Sequence, residues 1–167
     1  MRKEQEAAGT ATRYDRHCLN LSPEERESLQ ASGQPSVLRF RIPDQEETVF
    51  NDYLRGEIRI DNRQLDDFIL IKSDGFPTYH FANVLDDHLM EISHVLRGEE
   101  WISSTPRHVL LYQAFGWDWP EFVHLPVIRS PQGGKLSKRD GATNVREFRD
   151  RGYLPEAMVN FLALLGW

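Results

Sequence analysis

A chain of 167 residues, 40% hydrophobic and 28% charged, is globular rather than disordered and large enough for one domain or a domain and a half. Its formal net charge of −6 excludes a protein that coats nucleic acid generally but leaves room for a local basic surface. The single cysteine, Cys18, excludes an internal disulfide framework, and no apolar run approaches the roughly 18 residues of a membrane span.

One cysteine and six histidines without H-x-x-x-H or H-E-x-x-H spacing predict no protein-bound zinc or other metal centre in this segment. The N-terminus lacks the apolar core of a signal peptide. Glu4 and Glu6 argue against a mitochondrial presequence, and the single cysteine fits a reducing compartment; a cytoplasmic location is expected, with the mitochondrial matrix as the alternative.

Ser22-Pro23-Glu24-Glu25 predicts a helix start, with Ser22 as N-cap and Pro23 at the first helical position, and the helix should stop near Gly33. Leu38, Phe40 and Ile42 alternate with Arg39 and Arg41, the period of a half-buried strand over 37–42. The two arginines form the wet face of a small antiparallel sheet or touch an RNA backbone. A second short strand is expected over 56–60. The apolar run Phe68-Ile69-Leu70-Ile71 suits a core strand buried on both faces, followed by turn chemistry over 72–77.

Phe81, Val84, Leu85 and Leu89 have helical spacing. On that helix Tyr79, Asn83 and Asp87 share one face, which carries a hydroxyl, an amide and a carboxylate. Such a face suits a small polar ligand, or it is the wet side of an ordinary amphipathic helix. Residues 92–96 read as a second core strand leading into Arg97-Gly98-Glu99-Glu100-Trp101. Arg97 then sits beyond a strand's carboxyl end, where α/β sheets bind ligands, and can fork onto a carboxylate or phosphate. The alternative is a salt bridge to Glu99 or Glu100. Thr105 is expected to cap the next helix, with Pro106 at its first position, Val109, Leu110 and Ala114 inward, and Gly116 as its stop. Residues 122–128 read as a third core strand, with Pro126 near its end. His124 reads as a hydrogen-bonded, partly buried histidine or, alternatively, as a base, although no nucleophile or carboxylate partner accompanies it.

The next stretch concentrates charge. From Arg129 to Arg139 there are four positive side chains and no acid, with Gly133, Gly134 and Gly141 around Lys135-Leu136-Ser137-Lys138-Arg139. Paired glycines and local positive charge in an acidic protein predict a mobile loop that holds a polyanion such as a nucleotide's phosphates; the alternative is a solvated basic turn. Asn144 with Glu147 predicts another helix start, Gly152 its end, and Pro155 the opening of an apolar last helix.

Lys135 to Arg139 resembles the "KMSKS" signature of class I aminoacyl-tRNA synthetases. Together with Ser73 to Val84, Asp86-Asp87-His88-Leu89-Met90, Val95 to Trp101 and Ser104-Thr105-Pro106, the order and spacing resemble bacterial-type glutamyl-tRNA synthetase over nearly the whole chain. The resemblance implies an α/β fold: the second half of a doubly wound, Rossmann-type catalytic domain plus part of a smaller α+β acceptor-binding insertion. It also implies a division into residues 1–79 (insertion), 80–141 (catalytic half) and 142–167 (start of a helical stem-contact region).

By the same resemblance, Tyr79, His80, Phe81, Ala82 and Asn83 form the glutamate-binding stretch, and Arg97 pairs with a carboxylate of the substrate. Glu100, Val127 and Ile128 lie at the ATP site. Lys135, Leu136, Ser137, Lys138 and Arg139 form the ATP loop, with Lys135 and Lys138 offsetting charge on the reacting phosphates. The implied substrates are L-glutamate, ATP as its Mg2+ complex, and tRNA(Glu), handled by a monomeric parent enzyme. No "HIGH" signature and no anticodon-binding domain occur in the chain, so the resemblance implies an internal fragment that is inactive alone. The alternatives are a non-catalytic acceptor-binding module, or a relative that acts on glutaminyl or modified-base tRNA chemistry.

Overall fold

The computed structural model describes residues 13–129 and 144–164, together with Gln5, Ala7 and Gly9. The basic stretch Lys135 to Arg139 lies outside the described residues.

The first helix, α1 (Pro23–Ala31), begins as the sequence dictates: the Ser22 hydroxyl accepts from Glu25 N at 3.1 Å and Glu25 Oε2 accepts from Ser22 N at 2.8 Å. None of its residues is buried. The strand expected over 37–42 shortens to β1 (Leu38–Arg39). The ladder gives way because Ile42 N donates to the Asp67 side chain at 2.8 Å and Pro43 has no N–H. The buried Asp67 carboxylate also receives two bonds from the Arg16 guanidinium, at 2.8 and 2.9 Å. Arg39 is not a wet residue: it lies over the Tyr14 ring at 4.3 Å and donates to Asp67 O at 2.7 Å.

Two strands form a hairpin, β2 (Glu47–Asp52) and β3 (Gly56–Asp61), paired antiparallel from Glu47↔Asp61 to Asp52↔Gly56. β2 escapes the sequence reading altogether. β4 (Ile69–Ile71) pairs antiparallel with β1 in a separate two-stranded sheet, and all three of its residues are only half-buried. The expectation of a strand covered on both faces is therefore corrected: β4 has no helix layer on each side, as a parallel core strand would.

After α2 (Tyr79–Leu89), β5 (His94–Gly98) starts two residues later than expected, because Ile92 N is spent on Asp87 O at the helix end. A 3-10 turn over 99–104 leads to α3 (Thr105–Phe115), which crosses over to β6 (Glu121–Leu125), parallel to β5. The four-stranded sheet has the order β3-β2-β6-β5. β2 thus occupies the place beside β6, joined in parallel at Asp52↔Phe122 and by Tyr53 N to Phe122 O at 2.8 Å. Residues 47–61 and 94–125 share one sheet, which crosses the division expected at residue 79.

The core is organised around α3, which is buried nearly all round. Val109 packs on Phe50 and Phe122, Leu110 on Ile42 and Leu65, and Leu111 with Tyr112 on Val84. Each such fully buried side chain contributes roughly 1.5–3 kcal/mol. Two expectations for α3 fail. Ala114 is exposed, and the Thr105 hydroxyl does not cap the helix but donates to Trp101 O at 3.1 Å. Gly116 ends the helix in the left-handed region at φ 69°, where an L side chain is strained. Beyond the basic stretch, α4 (Val145–Asp150) is capped by Asn144 Oδ1, and α5 (Pro155–Leu164) opens at its proline.

Candidate active site

The carboxyl ends of the parallel strands β5 and β6 bring Arg97 and His124 side by side. Arg97 is partly buried between two rings, 5.8 Å from Trp101 and 5.5 Å from Phe122. Its Nε donates to His124 Nε2 at 3.1 Å, its Nη2 to Thr105 Oγ1 at 2.8 Å, and its Nη1 faces His108 Nδ1 at 3.4 Å. All three acceptors are neutral. No carboxylate among the described residues forms a salt bridge with Arg97: Glu99 instead pairs with Arg55 and accepts Val127 N at 3.3 Å. Burial lowers the Arg97 pKa, partly offset by Tyr79 and Asp87. A desolvated guanidinium that forms no salt bridge among the described residues is costly to maintain, an arrangement suited to receiving an anion.

His124 is fully buried, and its carboxylate partner is Asp52, 72 residues earlier, corrected here from the expectation that it has none. Nδ1 lies 2.6 Å from Asp52 Oδ2, and the His124 backbone N–H reaches the same oxygen at 3.0 Å. The other oxygen, Oδ1, accepts Leu54 N and Arg55 N, each at 3.1 Å, which closes the β2–β3 turn. Burial pushes the Asp52 carboxyl up, but the bonds from His124 and Leu54 N outweigh it and leave it below the usual value. Burial holds His124 below its ordinary value despite the Asp52 bond, so a neutral imidazole faces an ionised carboxylate. Arg97 has only donors, so His124 Nε2 must accept and its proton sits on Nδ1.

On the other side of Arg97, His108 Nε2 lies 3.0 Å from His80 Nδ1. Since His108 Nδ1 faces a donor, Nε2 carries the proton and donates it to His80. Burial, then the charge of Arg97, pushes His108 down to about 3. His80 is also lowered, first by burial.

Helix α2 supplies the remaining wall. Tyr79 is exposed, with its ring 5.4 Å from Trp101 and 5.5 Å from His80. Asn83 hydrogen-bonds Asp87 on the same face, while burial raises the Asp87 pKa. Phe81 points elsewhere, into the cluster of Val84, Leu111 and Tyr112, with its ring 6.3 Å from Phe115. Ala82 N is spent on Thr78 O within the helix start. The Glu100 carboxylate lies over Gly98, where an added Cβ would collide with its Oε2. Val127 is half-buried and Ile128 exposed just beyond β6. The structure thus brings Tyr79, His80 and Arg97 together, leaves Phe81 as packing, and adds Asp52, Thr105, His108 and His124. Lys135, Leu136, Ser137, Lys138 and Arg139 lie outside the described residues.

Asp52 left only a faint signal in the sequence: β-prone Thr48-Val49-Phe50 precedes the turn at Gly56, without an alternation of apolar and polar residues. Among the described residues no His/Cys/Asp/Glu group could hold a metal ion, and no helix is long and apolar enough to cross a membrane.

The family model "tRNA synthetases class I (E and Q), catalytic domain" matches residues 1–167. The glutamate--tRNA ligase of Clostridioides difficile (strain 630) is 54% identical over 167 residues, which is all of this chain and 34% of that protein. The glutamate--tRNA ligase of Finegoldia magna is 53% identical over the same span, again 34% of its length. The chain therefore spans about a third of the length of the curated relatives it matches. A crystal structure of a glutamate tRNA ligase from Elizabethkingia meningosepticum in complex with its amino acid superposes with a TM-score of 0.87 at 44% identity, covering 99% of this chain and 38% of that one.

Proposed function

Because the chain belongs to the class I tRNA synthetases of the E and Q type, within their catalytic domain, we propose that it serves, as part of a larger enzyme, in the ATP-dependent activation of L-glutamate and its ligation to the 3′ end of tRNA(Glu). A glutamate carboxylate attacks the α-phosphate of Mg·ATP in line, giving glutamyl-adenylate and pyrophosphate, and a terminal ribose hydroxyl of the tRNA then takes the glutamyl group, releasing AMP. No protein nucleophile is required: the side chains position the reactants and offset charge.

Arg97 receives a carboxylate of glutamate, with Tyr79 and Asn83 beside it on α2. Three of the five guanidinium N–H groups are engaged by His124, Thr105 and His108, which leaves one on each terminal nitrogen for a bidentate ligand. Val127 and Ile128 address the adenine through backbone groups, with Glu100 nearby, and Lys135 to Arg139 hold the phosphates. Residues 1–79 carry the acceptor-binding part of the chain, their hairpin β2–β3 joining it to the sheet of β5 and β6, and the enzyme works as a cytoplasmic monomer.

The observation that carries this reading is the half-buried Arg97, held by neutral acceptors at the carboxyl end of β5. Glutamate-dependent ATP–pyrophosphate exchange, with tRNA present, tests it in the full-length enzyme. Arg97→Ala should raise KM for glutamate far more than KM for ATP. Equal loss for both substrates contradicts the role given to Arg97.

A further inference from the structure

The buried groups behind Arg97 form one continuous hydrogen-bonded series. It runs from the Asp52 carboxylate through His124 to Arg97, and on through His108 to His80. Asp52 and His124 are both buried and cannot touch a substrate that reaches only the open side of Arg97. Their atoms are nevertheless arranged for one outcome. Asp52 Oδ2 accepts the Nδ1 proton of His124, which leaves the Nε2 lone pair toward Arg97 Nε, with Thr105 Oγ1 also 3.1 Å from Nε2. The opposite tautomer would set an Nε2–H against a guanidinium that has no acceptor.

We propose that Asp52 and His124 are positioning residues for glutamate recognition: Asp52 fixes the His124 tautomer, and His124 Nε2 with Thr105 Oγ1 locks the rotation of the Arg97 fork. This rests on the reading of Arg97 as the glutamate-carboxylate receptor. The two acceptors grip different nitrogens, Nε and Nη2, at 3.1 and 2.8 Å, so they fix the guanidinium plane as well as its position. Trp101 and Phe122 limit motion out of that plane. The remaining two N–H groups are then presented to the ligand already oriented, which lowers the entropy lost on binding. Because Asp52 also ties the β2–β3 turn through Leu54 N and Arg55 N, the hairpin contributes to substrate geometry without touching substrate.

Two substitutions at one position separate positioning from scaffolding. His124→Asn keeps an N–H near Nδ1 for Asp52 but offers Arg97 nothing. His124→Gln reaches the Nε2 position with an acceptor oxygen but abandons Asp52. In the full-length enzyme, glutamate-dependent ATP–pyrophosphate exchange and the thermal midpoint are measured for both, beside Arg97→Ala. The expected result is opposite ranking. His124→Asn raises KM for glutamate about tenfold or more with KM for ATP within about twofold, and His124→Gln is milder in KM yet less thermostable.

The proposal is overturned if His124→Gln is the more impaired in both readouts, as a purely structural histidine requires, or if neither changes KM for glutamate. Should the His124 variants fail to fold, Thr105→Val removes the second acceptor at nearly constant volume. It is expected to raise KM for glutamate several-fold, and an unchanged value overturns the proposal. If Arg97→Ala leaves KM for glutamate unaltered, the glutamate-receptor reading itself falls. If Arg97→Ala raises it and His124→Asn does not, only the positioning role falls.

Discussion

Asp52 Oδ2 meets His124 Nδ1 at 2.6 Å across 72 residues of chain, and both side chains are fully buried. The carboxylate accepts four hydrogen bonds, two on each oxygen, from His124 N, His124 Nδ1, Leu54 N and Arg55 N. In Asp52→Asn one of those oxygens becomes an NH2 group that faces donors. Two buried donors lose their acceptor, and the cost is about 2–5 kcal/mol. Amide hydrogen exchange at residues 54, 55 and 124 checks it: protection should fall by about 30-fold or more. Unchanged protection would show that the turn does not depend on this carboxylate.

Three neutral histidines make this region sensitive to acid. His80, His108 and His124 all have pKa values lowered primarily by burial, His108 to about 3. A base with a depressed folded pKa binds its proton more readily in the unfolded chain. Its contribution to stability is therefore complete above the unfolded value near ~6.5 and is lost as pH falls toward the folded one. For His108 the loss approaches about 1.4 kcal/mol per pH unit below ~6. Urea unfolding of the full-length enzyme at pH 7, 6 and 5 should show falling stability, and His108→Gln should flatten the trend. A curve with no slope over that range would contradict the buried neutral assignment.

Tyr112 offers an opposite case. Its hydroxyl is buried with no hydrogen-bond partner among the described residues, and burial raises its pKa to about 12. Removing an unpaired buried hydroxyl costs nothing in lost bonds, so Tyr112→Phe should be neutral or stabilising by up to about 1–2 kcal/mol. The thermal midpoint of the variant is the readout. A clear fall in the midpoint would mean the hydroxyl has a partner, such as an ordered water.

Local chemistry was legible in the sequence wherever the cause is local. Ser22 with Glu25 and Gly116 at the end of α3 act within one turn of helix, so their residue types suffice. The place of Arg97 near the carboxyl end of β5 was legible too, since it needs only a short apolar run followed by polar residues. Legibility failed where a distant partner decides. The run Phe68 to Ile71 looks like a parallel core strand, but it pairs antiparallel with β1 and bridges to Pro77, while β2 takes the place beside β6. The Asp52–His124 bond requires that placement, and no spacing rule links positions 72 apart. Strand ends also shifted by competition for N–H groups, as at Ile92 and Ile42.

Gly98 tests the assignment of Glu100 to the ATP side of the site. At φ −68° and ψ 149° the backbone accepts alanine without strain, but the new Cβ would meet the Glu100 carboxylate. A flexible side chain yields more easily than backbone, so Gly98→Ala should displace Glu100 while changing stability by less than about 1 kcal/mol. KM for ATP is expected to rise several-fold, with KM for glutamate little changed. A normal KM for ATP would remove Glu100 from the nucleotide site.

The account turns on Arg97 as the receptor of a glutamate carboxylate. Its most direct measurement is the ratio of KM values for glutamate and ATP in pyrophosphate exchange by the full-length enzyme with Arg97→Lys. Lysine keeps the charge but cannot reach His124, Thr105 and a bidentate ligand at once, so KM for glutamate should rise about 10- to 100-fold while KM for ATP stays within about twofold. A variant whose glutamate KM matches the parent enzyme, or whose two KM values rise together, would contradict it.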